Sequence, residues 1–123
     1  MVGDSDLKVA KLYNMLPAEE TGSAEQRTAA DNATVRAVYI VGPDKKIRAM
    51  LLYLMSSGRN FEEVLRLLDS VQLTESKGVA TPVNWQSGDD VIIPPSVSDK
   101  EAKARFPQGF TTLRPYLRTV KID

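Results

Sequence analysis

The sequence predicts an α/β fold that is incomplete on its own. Three observations lead there. The elements run helix, strand, strand, helix, then a stretch broken by prolines. The first strand segment is apolar on both faces, as in a strand buried inside a sheet. Two or three strands are too few for an independently stable sheet, so another half of the domain or a partner chain is expected to supply the rest.

The elements follow in order. Asp4 to Leu16 reads as a helix, because Val9, Leu12, Tyr13 and Leu16 recur on one face. Asp4 or Ser5 can cap its start and Pro17 stops it. Ala18 to Asn32 is polar and reads as a loop, long enough to be either functional or poorly ordered. Thr34 to Val41 is rich in β-branched and aromatic residues and reads as a strand. Gly42-Pro43-Asp44-Lys45 is a turn signal, and Ile47 to Leu54 is a second apolar run of strand length. A link this short favours an antiparallel hairpin.

Asn60 to Lys77 is the clearest helix. Asn60 and Glu63 have the spacing of a capping box, and Gly78 is placed to end the helix. Phe61, Val64, Leu65, Leu68 and Val71 form its apolar stripe. From Val79 on, prolines at 82, 94, 95 and 107 break the pattern. Val91 to Ile93 reads as a short strand, Ser98 with Glu101 as a capping box opening a helix to about Phe106, and Tyr116 to Val120 as a terminal strand. The segment as a whole reads as an extended arm with little core of its own. Trp85 and Phe106 read as packing anchors rather than ligand platforms.

Composition narrows the chemistry. The 123 residues carry a net charge of zero, with no run of like charges. That argues against nucleic acid, whose partners present a basic face to phosphates. No apolar stretch reaches the roughly 18–20 residues of a membrane span. The N-terminus is acidic with no apolar run after it, which does not fit a secretory signal. A cytoplasmic location is the default expectation. Cys and His are both absent. Disulfides, thiolate or imidazole metal sites, and Ser-His or Cys-His relays therefore cannot be built from this chain alone. No cofactor and no metal are expected. Only carboxylates, Lys, Tyr, Ser, Thr and Arg remain for chemistry.

Several blocks, in order, resemble one family. Thr34-Val-Arg-Ala-Val-Tyr-Ile-Val-Gly-Pro-Asp-Lys-Lys-Ile47 is similar to the peroxiredoxin strand that carries a catalytic arginine. Ser57-Gly-Arg-Asn-Phe-Glu-Glu-Val-Leu-Arg66 resembles the family's second arginine motif and the helix after it. Val79-Ala-Thr-Pro-Val-Asn-Trp85, Gly88-Asp-Asp-Val-Ile-Ile93, Lys100-Glu-Ala-Lys-Ala-Arg-Phe-Pro107 and Pro115-Tyr-Leu-Arg118 resemble the C-terminal arm of the one-cysteine subfamily. The likeness covers essentially the whole chain. It implies an incomplete thioredoxin-like fold, residues 1–78, followed by a dimerisation arm, residues 79–123. One departure stands out: Leu54 follows Tyr53 where the family usually has proline, which changes the bend before Arg59.

The resemblance also implies site residues. Arg36 takes the place of the catalytic arginine and Arg59 that of a supporting one. The physical logic is general: a fixed positive charge lowers a thiol's pKa, and a guanidinium can face thiolate and peroxide oxygens together. Without the motif, an arginine near a strand end is ordinarily solvated or ion-paired. Asp44 resembles the acid of a Ser-His-Asp set assigned to some family members, but Asp after Pro is ordinary turn chemistry. The nucleophilic cysteine itself is absent from this chain.

Two readings of function follow. In the first, the chain is part of a thiol-dependent peroxidase, inactive alone and competent only with a cysteine-bearing N-terminal half; peroxide is a substrate of the complete enzyme only. In the second, it is a non-catalytic dimerisation or interaction module derived from a peroxiredoxin. Both include a homodimer, formed through the edge of strand 47–54 and through the arm. A small enzyme using only Arg and carboxylates is a remote third.

Overall fold

The computed structural model describes residues 4–16, 28 and 35–122. The expectations for Pro17, Thr34 and nearly all of the 18–32 loop lie outside the described residues. The chain divides into two compact units, Met1–Arg59 and Asn60–Asp123.

In the first unit, helix α1 spans Lys8–Leu12, shorter than the pattern suggested. The Asp4 carboxylate accepts from the Val9 and Ala10 amides at 3.1 and 2.7 Å, so Asp4 does cap it. The early end has a local cause. Asn14 takes a left-handed conformation, φ 51°. Its N–H donates to Lys11 O while the Met15 N–H donates to Ala10 O. This is a Schellman closure with asparagine in the usual glycine place. Pro17 is not needed to stop the helix.

Strands β1, Arg36–Val41, and β2, Ile47–Tyr53, form a two-stranded antiparallel sheet. Arg36 pairs with Tyr53 at the open end and Val41 with Ile47 at the turn, after a bulge at Ile40/Val41. The Tyr39 hydroxyl donates to Tyr13 O at 2.6 Å and the two rings meet edge-on at 5.2 Å, tying α1 to the hairpin. The sequence marks β1 as buried on both faces. Here Ala37 is its one buried residue, because only β2 lies beside it among the described residues.

The second unit holds the core. Helix α2 spans Phe61–Lys77. The Asn60 side chain accepts from the Glu62 and Glu63 amides, and Gly78, φ 60°, closes the far end. Half of the expected capping box forms; the Glu63 carboxylate takes Arg66 instead, at 2.6 and 2.8 Å. A Cβ on Gly78 would lie 3.1 Å from the Arg105 guanidinium, which itself binds the carbonyls of Lys77 and Gly78. Strands β3 (Val91–Ile93), β4 (Thr111–Arg114) and β5 (Leu117–Val120) form an antiparallel sheet in the order β3-β5-β4. Helix α3, Asp99–Arg105, opens on a complete Ser98–Glu101 capping box.

Val79, Trp85, Val91, Ile93, Ala102, Phe106 and Val120 bury one another, with Leu73, Val97, Phe110 and Ile122 packed around them. The expected arm with little core of its own is therefore corrected: the cluster lies in it. Trp85 and Phe106 are packing anchors, as expected. The apolar residues come singly from short segments, so no window of sequence shows a periodicity. Strand β4 escaped the pattern because all four of its residues are exposed and show no alternation. A buried arginine completes the unit. Arg118 donates to Asp99 at 2.7 Å and to the carbonyls of Pro94 and Val97 at 3.1 and 2.6 Å, fixing the loop before α3 to β5.

Two outcomes follow. Ile93 is fully buried, so Ile93→Ala should cost about 2–5 kcal/mol, while Leu113→Ala on the exposed β4 should stay within about 0.5. Urea unfolding followed by Trp85 fluorescence separates them. The Ser98 hydroxyl and amide, with Arg105 nearby, hold the Glu101 carboxyl below its ordinary value of 4.5. Its ionised form is favoured by folding, so the contribution is present above pH 4.5 and fades as pH falls through the folded-state value. Ser98→Ala should move the Glu101 titration up toward 4.5, read by carboxyl carbon NMR; an unmoved titration would contradict the cap.

Candidate active site

The open end of the hairpin is built by the chain's exit from β2. After Tyr53 the backbone turns over Leu54–Ser57, closed by the Ser57 N–H donating to Leu54 O at 2.9 Å. That turn presents the Ser57 carbonyl to the start of β1. The half-buried Arg36 donates from Nη1 to this oxygen at 2.7 Å. A guanidinium has five N–H donors in a rigid plane. One is spent on Ser57, and among the described residues no carboxylate neutralises the group.

Arg59 follows two positions after that carbonyl and is exposed. It makes no hydrogen bond or ion pair among the described residues. The Arg36 guanidinium is therefore tied to the turn that leads to Arg59. The carbonyl of Ser57 has no sequence signature, because every residue type offers one.

Asp44 lies at the other end. Arg36 is the first of the six residues of β1, at about 3.3 Å each, and the hairpin turn follows the last. The Asp44 carboxylate binds Arg48 at 3.0 Å and accepts from the Lys46 amide at 3.2 Å. Arg48 is the main reason its carboxyl is held below the ordinary 3.8. A Cβ on Gly42 would come within 2.9 Å of that carboxylate. Asp44 closes its own turn and is spent there.

The second unit contains a cleft of about 700 Å³ over Leu73, Trp85 and Val91, rimmed by Asp69, Asp89 and Lys121. Its charged groups are exposed and it joins no base to a nucleophile. Among the described residues, no group of acidic side chains could hold a metal ion.

Comparison with known proteins places this geometry. A family profile described as the C-terminal domain of 1-Cys peroxiredoxin matches residues 70–109. A mitochondrial peroxiredoxin of Saccharomyces cerevisiae is 49% identical over 121 residues, covering 98% of this chain and 45% of that protein. A 1-Cys peroxiredoxin of Dictyostelium discoideum is 46% identical over 119 residues, covering 96% and 45%. The chain is similar to the one-cysteine peroxiredoxins. It matches their C-terminal part and spans about half the length of these relatives. A solved structure of the yeast mitochondrial 1-Cys peroxiredoxin superposes with a TM-score of 0.82 at 47% identity, over 98% of this chain and 55% of that one. The mixed helices and small sheets described above are thus a partial thioredoxin-like fold of the peroxiredoxin kind.

The comparison overturns one expectation. A cytoplasmic location was the default from an acidic N-terminus, yet the similar yeast protein is mitochondrial.

Proposed function

We propose that this chain is the arginine-bearing part of a thiol-dependent peroxidase and reduces peroxide only together with a cysteine-bearing part. The observation that carries the reading is the Arg36 guanidinium, oriented by the Ser57 carbonyl and without a carboxylate partner among the described residues, in a chain without cysteine. In the assembled site Arg36 is the catalytic arginine. Its remaining donors stabilise a thiolate and then the oxygen that leaves the peroxide with developing negative charge. Arg59, on the same exit from the hairpin, adds positive potential in a supporting role. The yeast structure concerns thiol resolution through glutathione and thioredoxin systems, which supports a thiol as reductant.

The same reading includes a homodimer. Among the described residues each hairpin strand has one unpaired edge, and an open edge is a template for pairing. The edge of strand 47–54 and the arm, residues 79–123, form the contact, with residues 1–78 as the catalytic-domain portion. The non-catalytic interaction module gains no separate support from the geometry.

Peroxide consumption with a thiol reductant tests the reading. The chain alone should be inactive, and mixing with the cysteine-bearing first half of the yeast relative should give turnover. Arg36→Ala should then lose roughly 100- to 1,000-fold, the scale of removing one donor to a developing oxyanion. Arg59→Ala should lose less. An Arg36→Ala mixture as fast as the unaltered one would sink the assignment.

A further inference from the structure

The turn that holds Arg36 also carries a sulfur. Leu54–Ser57 is closed by the Ser57 N–H donating to Leu54 O at 2.9 Å, and the Ser57 carbonyl takes the Arg36 Nη1 donor at 2.7 Å. Met55 is the second residue of that turn. A four-residue turn keeps its end Cα atoms within about 7 Å, so the Met55 backbone stays near the carbonyl that anchors Arg36. The Met55 side chain is 46% exposed. The chain has no cysteine, and methionine is its one sulfur-bearing residue type. A thioether is soft, polarizable and uncharged, and it needs no deprotonation before it reacts with an oxidant. Met50, on the same hairpin, offers a comparison. It is 52% exposed but pairs with Tyr39, about 10 Å along β1 from Arg36.

We propose that Met55 is a site of oxidation by hydroperoxides, and that the spare donors of Arg36 hasten its conversion to the sulfoxide. Of the five N–H donors of Arg36 one goes to Ser57 O, and among the described residues no carboxylate takes the others. The sulfur lone pair attacks the terminal oxygen of the hydroperoxide. An S–O bond forms and the O–O bond breaks. Sulfur loses two electrons and the peroxide gains them. The proton on the attacked oxygen passes to the leaving oxygen, which departs as water from hydrogen peroxide or as an alcohol from an organic hydroperoxide. The guanidinium gives up no proton. It donates a hydrogen bond to the leaving oxygen as negative charge develops there.

The part given to Arg36 rests on the functional reading above, moved from a thiolate to a thioether; the accessibility of Met55 does not. The product is a polar, chiral side chain in the turn before Arg59. Sulfoxide reductases restore the thioether, so the modification is reversible.

Peptide mapping by mass spectrometry of the full chain, treated with either of two oxidants, tests this. Chloramine-T reports access to the sulfur; hydrogen peroxide reports access and assistance together. The ratio of Met55 to Met50 oxidation rates should be at least about threefold higher with hydrogen peroxide than with the chloramine, the scale of one modest hydrogen bond in the transition state. Arg36→Ala should bring the two ratios together. Arg36→Lys keeps a donor for Ser57 O and so holds the turn, but it lacks the spare coplanar donors and should lose the excess too. Equal ratios in the unaltered chain overturn the proposal, and so does an excess that survives in either variant. The catalytic reading fails on a different measurement, turnover with the cysteine-bearing half, whereas the oxidant ratio is read on the lone chain.

Discussion

A two-stranded sheet has no interior, and the behaviour of the whole chain depends on that constraint. The hairpin pairs its strands along their length apart from one bulge, yet its one buried side chain is the methyl group of Ala37. Three strands, two helices and a loop give the second unit what the first lacks. Trp85, Ile93 and Phe106 are enclosed from several directions, and even the polar Arg118 is satisfied at each end of its guanidinium. The part of the chain that holds the core and the part that carries Arg36 and Arg59 are therefore different parts.

The choice of arginine at position 36 follows from the same geometry. A lysine donating to Ser57 O would commit its only charged atom to a backbone carbonyl. A guanidinium donates once to that carbonyl and keeps coplanar donors for an anion. Position and electrostatics are thus separated within one side chain. The turn that presents the carbonyl runs through Leu54, where the family usually has proline, and it closes here by the Ser57 to Leu54 hydrogen bond alone. Proline would fix its own backbone torsion in advance, whereas leucine leaves the turn to be held by what packs on it.

The fold was legible in the sequence wherever the signal was local. Asn60 and Gly78 delimit α2, Ser98 with Glu101 opens α3, and Gly42 to Lys45 closes the hairpin, each by hydrogen bonds within a few residues. Asn14 was an equally local signal that Pro17 overshadowed. What could not be read was convergence. Val79, Trp85, Val91, Phe106 and Val120 are single apolar residues among prolines and charges, and only the tertiary structure makes them a core. The candidate site divides the same way. Arg36 and Arg59 stand out through family-like motifs, while the carbonyl that orients Arg36 belongs to the backbone and leaves no trace in residue identity.

Helix α2 carries the argument about incompleteness into the second unit. In the apolar stripe read from the sequence, Phe61 and Leu65 are 71% and 60% exposed. The flank that serves the unit's own core is another one, with Leu73 packed on the cluster and the buried Ser70 hydroxyl against Thr81. An amphipathic helix ordinarily spends its apolar stripe on the nearest core. Here a unit with a full core still leaves Phe61 and Leu65 exposed at the start of the helix, while Val64, Leu68 and Val71 are half-buried. Exposed apolar side chains on an otherwise well-packed unit mark a surface built for contact. Both units, each by itself, therefore hold apolar surface in reserve, and they do so in the stretch of sequence that also carries the two arginines.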